Sequence, residues 1–270
     1  MSQPERDQRA YWAGLHFLAN AEGVDPDDLM LHLQFAQTER PGTLLGVYEQ
    51  LLWSAQSPGM MPAIISRSIP DAILGLKGVL CGFDPKAIQA NYGTDWEKLL
   101  DAIVTEVGPR GKVRREAQSI WPRFCRTALS GAAFLSRFED LAEFQNWVAD
   151  FPGTPADLPR YLAEHVVGFG FAVAADFLKG MGYLQYAKPD VHLRDMFTAM
   201  GLCDARADDY QLYDAIVRVA LNVGQSPYHV DKLFWLIGSG NFHVTKKKLP
   251  GRKKEFLDYA RRKGLCRGME

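Results

Sequence analysis

The chain has 270 residues, 47% of them hydrophobic, and a formal net charge of −1. That length admits one large or two small domains with a sizeable apolar core and no need of disulfide staples. No run of about 18 apolar residues free of charge occurs, which argues against a membrane-spanning helix, and the charged start Met-Ser-Gln-Pro-Glu-Arg-Asp lacks the apolar stretch of an export signal. The expectation is a soluble, cytoplasmic protein. Its cysteines, Cys81, Cys125, Cys203 and Cys266, lie far apart with no C-x-x-C pair, so a local zinc site or compact iron-sulfur motif is excluded and reduced thiols are expected.

Apolar residues recur at helical spacing almost throughout, as in Leu44, Val47, Tyr48, Leu51 and Leu52, and strand-like alternation is nearly absent. This predicts an all-α chain of roughly ten to twelve helices. Gly and Pro punctuate it at Pro41-Gly42, Ser57-Pro58-Gly59, Gly108-Pro109 and Pro152-Gly153. The predicted organisation is helices over 1–40 packed on a body of 41–160, a second half over 161–242, and a basic tail over 243–270. Ten Lys or Arg and three acidic residues lie between His243 and Glu270, so that stretch carries +7 and the remainder −8. Arg110, Lys112, Arg114, Arg115, Arg123 and Arg126 form a second basic cluster. Such clusters suit phosphate contacts, although a charge run is also what a plain solvated face or tail looks like.

Within the second half, Gly168 and Gly170 interrupt a helical pattern running from Leu162 to Lys179. Glycine permits a tight turn of positive φ there, and the amides opening the next helix then suit a phosphate oxygen. A plain αα-turn uses the same residues. Further on, Lys188-Pro189-Asp190-Val191-His192 delivers an aspartate to the start of a new helix, where its ordinary role is to cap. The helix around Trp235 reads as core, with Val230, Leu233, Phe234 and Ile237 at helical spacing.

The two glycines followed 20 residues later by Pro-Asp-Val-His resemble the hairpin and catalytic segment of the helix-hairpin-helix DNA glycosylases. Tyr48-Glu-Gln-Leu-Leu-Trp-Ser-Ala-Gln56 resembles a second motif of the endonuclease III branch. The resemblance spans roughly residues 41–240. It implies two helical lobes with the active site in the cleft between them, and a monomer that binds double-stranded DNA carrying a modified base. By the same resemblance Asp190 is the catalytic carboxylate, Gln56 reaches into the gap left by the flipped base, and Gly168, Gly170 and Ala172 belong to the DNA-facing hairpin.

Bifunctional members of that superfamily carry a nucleophilic lysine where this chain has Ala172, and the iron-sulfur cysteines of some branches are missing. The expected activity is therefore monofunctional: a base is excised and an abasic site is left, with no cofactor. Alkylated purines or modified cytosines are the expected targets, in repair or in defence against phage. Lys179, on the same helix face as Ala172, reads as a surface or phosphate-contacting lysine, with a lyase role as the alternative. Lys246, Lys247 and Lys248 are expected to touch DNA, and Trp53, Tyr186 and His192 to line the base pocket. Two further readings stay open: a non-catalytic DNA-binding protein using the same hairpin, and a helical scaffold in which the Gly-Phe-Gly turn is only a turn.

Overall fold

A computed structural model describes residues 1–34, 40–56 and 61–266, with side chains in the helix after residue 60 described from Ile64 onward. In chain order the helices are α1 (Gln3–Ala19), α2 (Pro26–Gln34), α3 (Leu44–Ala55), α4 (Met61–Ser68), α5 (Pro85–Tyr92), α6 (Trp96–Ala102) and α7 (Ile120–Leu135). There follow α8 (Leu141–Ala149), α9 (Asp157–His165), α10 (Phe171–Gly180), α11 (Val191–Ala199), α12 (Asp209–Val223), α13 (Pro227–Ser239) and α14 (Lys253–Arg262). The all-α expectation holds. Fourteen α-helices stand among the described residues where ten to twelve were expected, because short elements such as α5 and α6 are separated by a single tight turn at Gly93. Side-chain caps start many of them: Ser2, Thr43, Asp84, Asp95, Asp140, Asp190, Asp208 and Ser226 each accept an amide of the first turn.

The chain divides into two compact units, Met1–Thr38 with Gly182–Glu270, and Glu39–Met181. The boundary thus falls after α10 and not at 160/161 as expected. The hairpin and Asp190 belong to different units. The reason is packing: α10 lies against both α9 and α3, burying Ala174, Ala175, Phe177 and Leu178. Gly180 sits so close to Gln50 of α3 that a Cβ there would overlap the amide.

In the 39–181 unit, α7 is the central helix, flanked by α3, α5 and α6. Phe124, Cys125, Ala128, Ala132 and Leu135 are fully buried. Tyr48 Oη donates to the Ala128 carbonyl at 3.0 Å, and Gly131 brings α7 onto Leu51. An aromatic cluster of Phe134, Phe138, Phe144, Trp147 and Tyr161 joins α7, α8 and α9.

In the other unit, α1 packs on α12 and α13, with Gly14 admitting Phe234 and Ile237. Asp7 on α1 is fully buried and accepts from Gln3 Nε2, Arg218 Nε and Nη2, and Asn222 Nδ2 at 2.7–3.2 Å. The basic stretch after Phe242 is folded, which corrects the expectation of a tail. A two-residue antiparallel pair (β1, Asn241–Phe242; β2, Lys247–Lys248) precedes α14. The latter buries Phe256 between Phe17 and Phe234. No described helix is long and apolar enough to cross a membrane.

Candidate active site and DNA-contacting hairpin

Residues 166–170 form the turn between α9 and α10. Gly168 adopts φ +86°, the left-handed region that favours glycine. A Cβ on Gly168 would overlap Thr127 Oγ1 of α7. The Val167 amide donates to Ser130 Oγ at 2.9 Å, so two polar residues of α7, three positions apart on one face, hold the turn from beneath. Gly170 starts α10, with its carbonyl accepting the amides of Val173 and Ala174 at 3.0 Å. Val167, Gly168 and Gly170 are exposed while Phe169 is buried beneath them. The turn therefore presents bare backbone and the start of a helix outward, as a phosphate site requires. Thr127 and Ser130 were not singled out from sequence. Their signal is a pair of hydroxyls inside the apolar run Phe124-Cys-Arg-Thr-Ala-Leu-Ser130.

Gly168→Ala is expected to destabilise the 39–181 unit by about 1–3 kcal/mol, combining left-handed strain with the overlap on Thr127. Urea unfolding measures it, and adding Thr127→Ala should return part of the loss by removing the overlapping hydroxyl.

In the other unit, Asp190 caps α11: its Oδ1 accepts the amides of His192 at 2.8 Å and Leu193 at 3.1 Å. The carboxylate is half-buried at the positive end of the helix, an arrangement that fixes its position and favours its ionised form. His192 lies against α13, its ring so close to Gly238 that a Cβ there would sit 2.6 Å from it.

Several sequence expectations are corrected by burial. Gln56 is 3% exposed, and its Oε1 accepts from Ser66 Oγ. The C-terminal end of α3 turns the amide inward, so that bond must break before Gln56 can reach a duplex. Tyr186 is 4% exposed, with burial pushing its phenol up to about 12, so it is core of its unit and not an open stacking face. Trp53 does stand out at 37% exposure, its indole donating to Glu49 at 3.4 Å. The Lys179 side chain is 13% exposed and pairs with Asp176 at 3.2 Å, where a surface lysine was expected. Ala172 is half-buried in the first turn of α10. Of the three lysines, Lys246 and Lys248 are exposed; Lys248 Nζ donates to the Ser239 carbonyl at 2.7 Å, and Lys247 lies 3.9 Å from Asp28. Among the described residues no three His, Cys, Asp or Glu side chains are grouped to hold a metal ion.

No family profile and no curated protein match the sequence. Two solved structures do. The 8-oxoguanine glycosylase/lyase of Methanocaldococcus jannaschii, crystallised with a 15mer DNA containing 8-oxoguanine, aligns over 88% of this chain and 98% of its own, with 15% identity and a TM-score of 0.51. This chain has the fold of a helix-hairpin-helix DNA glycosylase. The 8-oxoguanine DNA glycosylase of Thermotoga maritima aligns over 92% of this chain and 98% of its own, at 15% identity and a TM-score of 0.46. Within the glycosylase fold, the position two residues after the second hairpin glycine holds Ala172, which has no amine to offer.

Proposed function

We propose that this protein is a monofunctional DNA glycosylase, which extrudes a damaged or modified base from duplex DNA and hydrolyses its glycosidic bond, leaving an abasic site. The observation that carries this reading is Asp190 held rigidly at the start of α11, in a chain with the glycosylase fold. Breaking the bond builds positive charge at C1′ and the ring oxygen of the sugar. A fixed carboxylate beneath C1′ stabilises that charge without reorganising, and it accepts the proton of the water that adds to C1′ as the base departs. The hairpin amides hold the phosphates beside the extruded nucleotide.

Ala172 leaves water as the nucleophile. One observation favours a second reading, glycosylase with lyase activity: the Lys179 amine is largely withdrawn from solvent, as a nucleophilic lysine must be, although its pair with Asp176 has to break first. Damaged-base repair and defence against modified phage DNA both suit the reading, as does a monomer acting at the nucleoid.

The test is a panel of duplexes, each with one altered base, incubated with the protein and then treated with hot alkali. The panel holds alkylated purines, modified cytosines and, because the archaeal neighbour is an 8-oxoguanine enzyme, 8-oxoguanine. Cleavage of one or more duplexes only after alkali is expected. Strand cleavage without alkali, together with a borohydride-trapped adduct lost in Lys179→Ala, would convert the reading to the lyase. Intact strands across the whole panel would sink both.

A further inference from the structure

The 39–181 unit carries a groove that the hairpin and Asp190 do not use. It encloses about 730 Å³ between α4, the irregular segment 110–119 and the start of α7, within the range of sites that hold small organic ligands. Ile64, Ile120 and Trp121 form an apolar floor, and Lys112, Arg114, Gln118 and Ser119 a polar rim. The segment is anchored at its beginning by the Arg110 amide, which donates to the Ser68 carbonyl at the end of α4 at 2.7 Å.

The six cations of the sequence cluster separate into two kinds. Arg126 lies over the Trp96 ring, 5.5 Å from its centroid, and Arg115 pairs with Asp101 at 2.5 Å. The side chains of Lys112, Arg114 and Arg123 are exposed and make no hydrogen bond or ion pair with the described residues. Glu116 also lines the groove. Its carboxylate accepts from Ser119 Oγ at 3.0 Å, and hydrogen bonds, with help from Arg114 and Lys112, hold it below the usual carboxylate range. It offsets one of the two rim cations.

The groove is continuous with the hairpin along one face of α7. Thr127 and Ser130 support the turn at 166–170. Arg123 stands one turn earlier on that face, roughly 6 Å along the helix axis, and Ser119 at the rim one turn earlier again. From hairpin to groove there is thus an unbroken track of exposed amides, Arg123, and then Arg114 and Lys112.

We infer that this groove binds one unstacked nucleotide of a DNA strand, its base over Ile64, Ile120 and Trp121 and its phosphate on Lys112 and Arg114, with Arg123 holding the phosphate between groove and hairpin. A flat apolar ring carrying an adjacent anion matches an apolar floor with a cationic rim, and the spacing along α7 matches a backbone that continues from the hairpin. This site rests on the DNA reading above and extends it to a second nucleotide.

Fluorescence anisotropy on two labelled duplexes, one fully paired and one with a single bulged nucleotide, tests it across a salt series. The parent protein is expected to prefer the bulged duplex. In Lys112→Ala/Arg114→Ala that preference should vanish, and the slope of log K against log salt should fall by about 1.8, at about 0.9 per phosphate contact. Lys77→Ala/Lys86→Ala removes the same charge from exposed positions elsewhere in the unit and should leave slope and preference intact. An unchanged slope in the groove variant, or an equal fall in the control, overturns the groove while DNA binding itself stands. Failure of the parent protein to bind either duplex overturns both.

Discussion

Asp190→Asn is expected to slow base release by about 100- to 1,000-fold in single-turnover assays while leaving the unfolding transition in place. The two halves of this result separate the two roles of the residue. Asparagine is as good a cap as aspartate, because its side-chain oxygen still accepts the His192 and Leu193 amides. It cannot carry the negative charge that opposes the developing sugar cation. Asp190→Ala removes both, so it should be equally slow and also less stable by about 1 kcal/mol. Base release by Asp190→Asn at the parental rate would leave Asp190 as a cap alone, and would return the chain to the non-catalytic DNA-binding reading.

Arg218→Ala is expected to be the most destabilising single change in its unit, costing about 3–5 kcal/mol. The pair it breaks is asymmetric: the Asp7 side chain has no exposure, whereas that of Arg218 is 38% exposed. Removing the arginine strands a carboxylate that retains only Gln3 and Asn222 as donors. Removing the aspartate frees a guanidinium that reaches solvent and still donates to the Leu202 carbonyl at 2.6 Å. Asp7→Ala should therefore cost clearly less than Arg218→Ala, the reverse of what counting hydrogen bonds at each residue suggests. Denaturant unfolding gives both values, and faster amide exchange confined to α1 and α12 would assign the loss to this unit. Equal costs for the two variants would show that water reaches Asp7.

The helical class was legible because buried faces such as Leu44, Val47, Tyr48, Leu51 and Leu52 repeat at the helical period, and packing then uses that face. Asp190 was legible for a similar reason: aspartate after proline and before an apolar run has few roles other than a cap. Burial of single polar groups was not. Gln56 follows the last apolar turn of α3, and only the tertiary position of Ser66 turns its amide inward. Tyr186 sits among polar neighbours in sequence yet fills the core of its unit. The division at Met181 was hidden because it depends on the approach of Gly180 to Gln50, 130 residues away in sequence and invisible to any local pattern. The C-terminal basic stretch looked like a tail because α14 exposes its charges on every side but one, and a single phenylalanine, Phe256, docks it.

The first 38 residues complete their unit only with residues from Gly182 onward. On a translating ribosome, at about 5–20 residues per second, α1 must wait on the order of ten to thirty seconds for the α12 that covers it. The 39–181 segment holds all of its own contacts and is free to close in that interval. Helix α1 emerges with the apolar face of Ala10, Tyr11, Gly14 and Leu18 uncovered and with Asp7 still hydrated. Nascent chains stalled before Arg218 leaves the exit tunnel should carry a folded middle and a chaperone-accessible beginning, so synthesis rate and chaperone supply, as much as final stability, set how much of this protein a cell obtains.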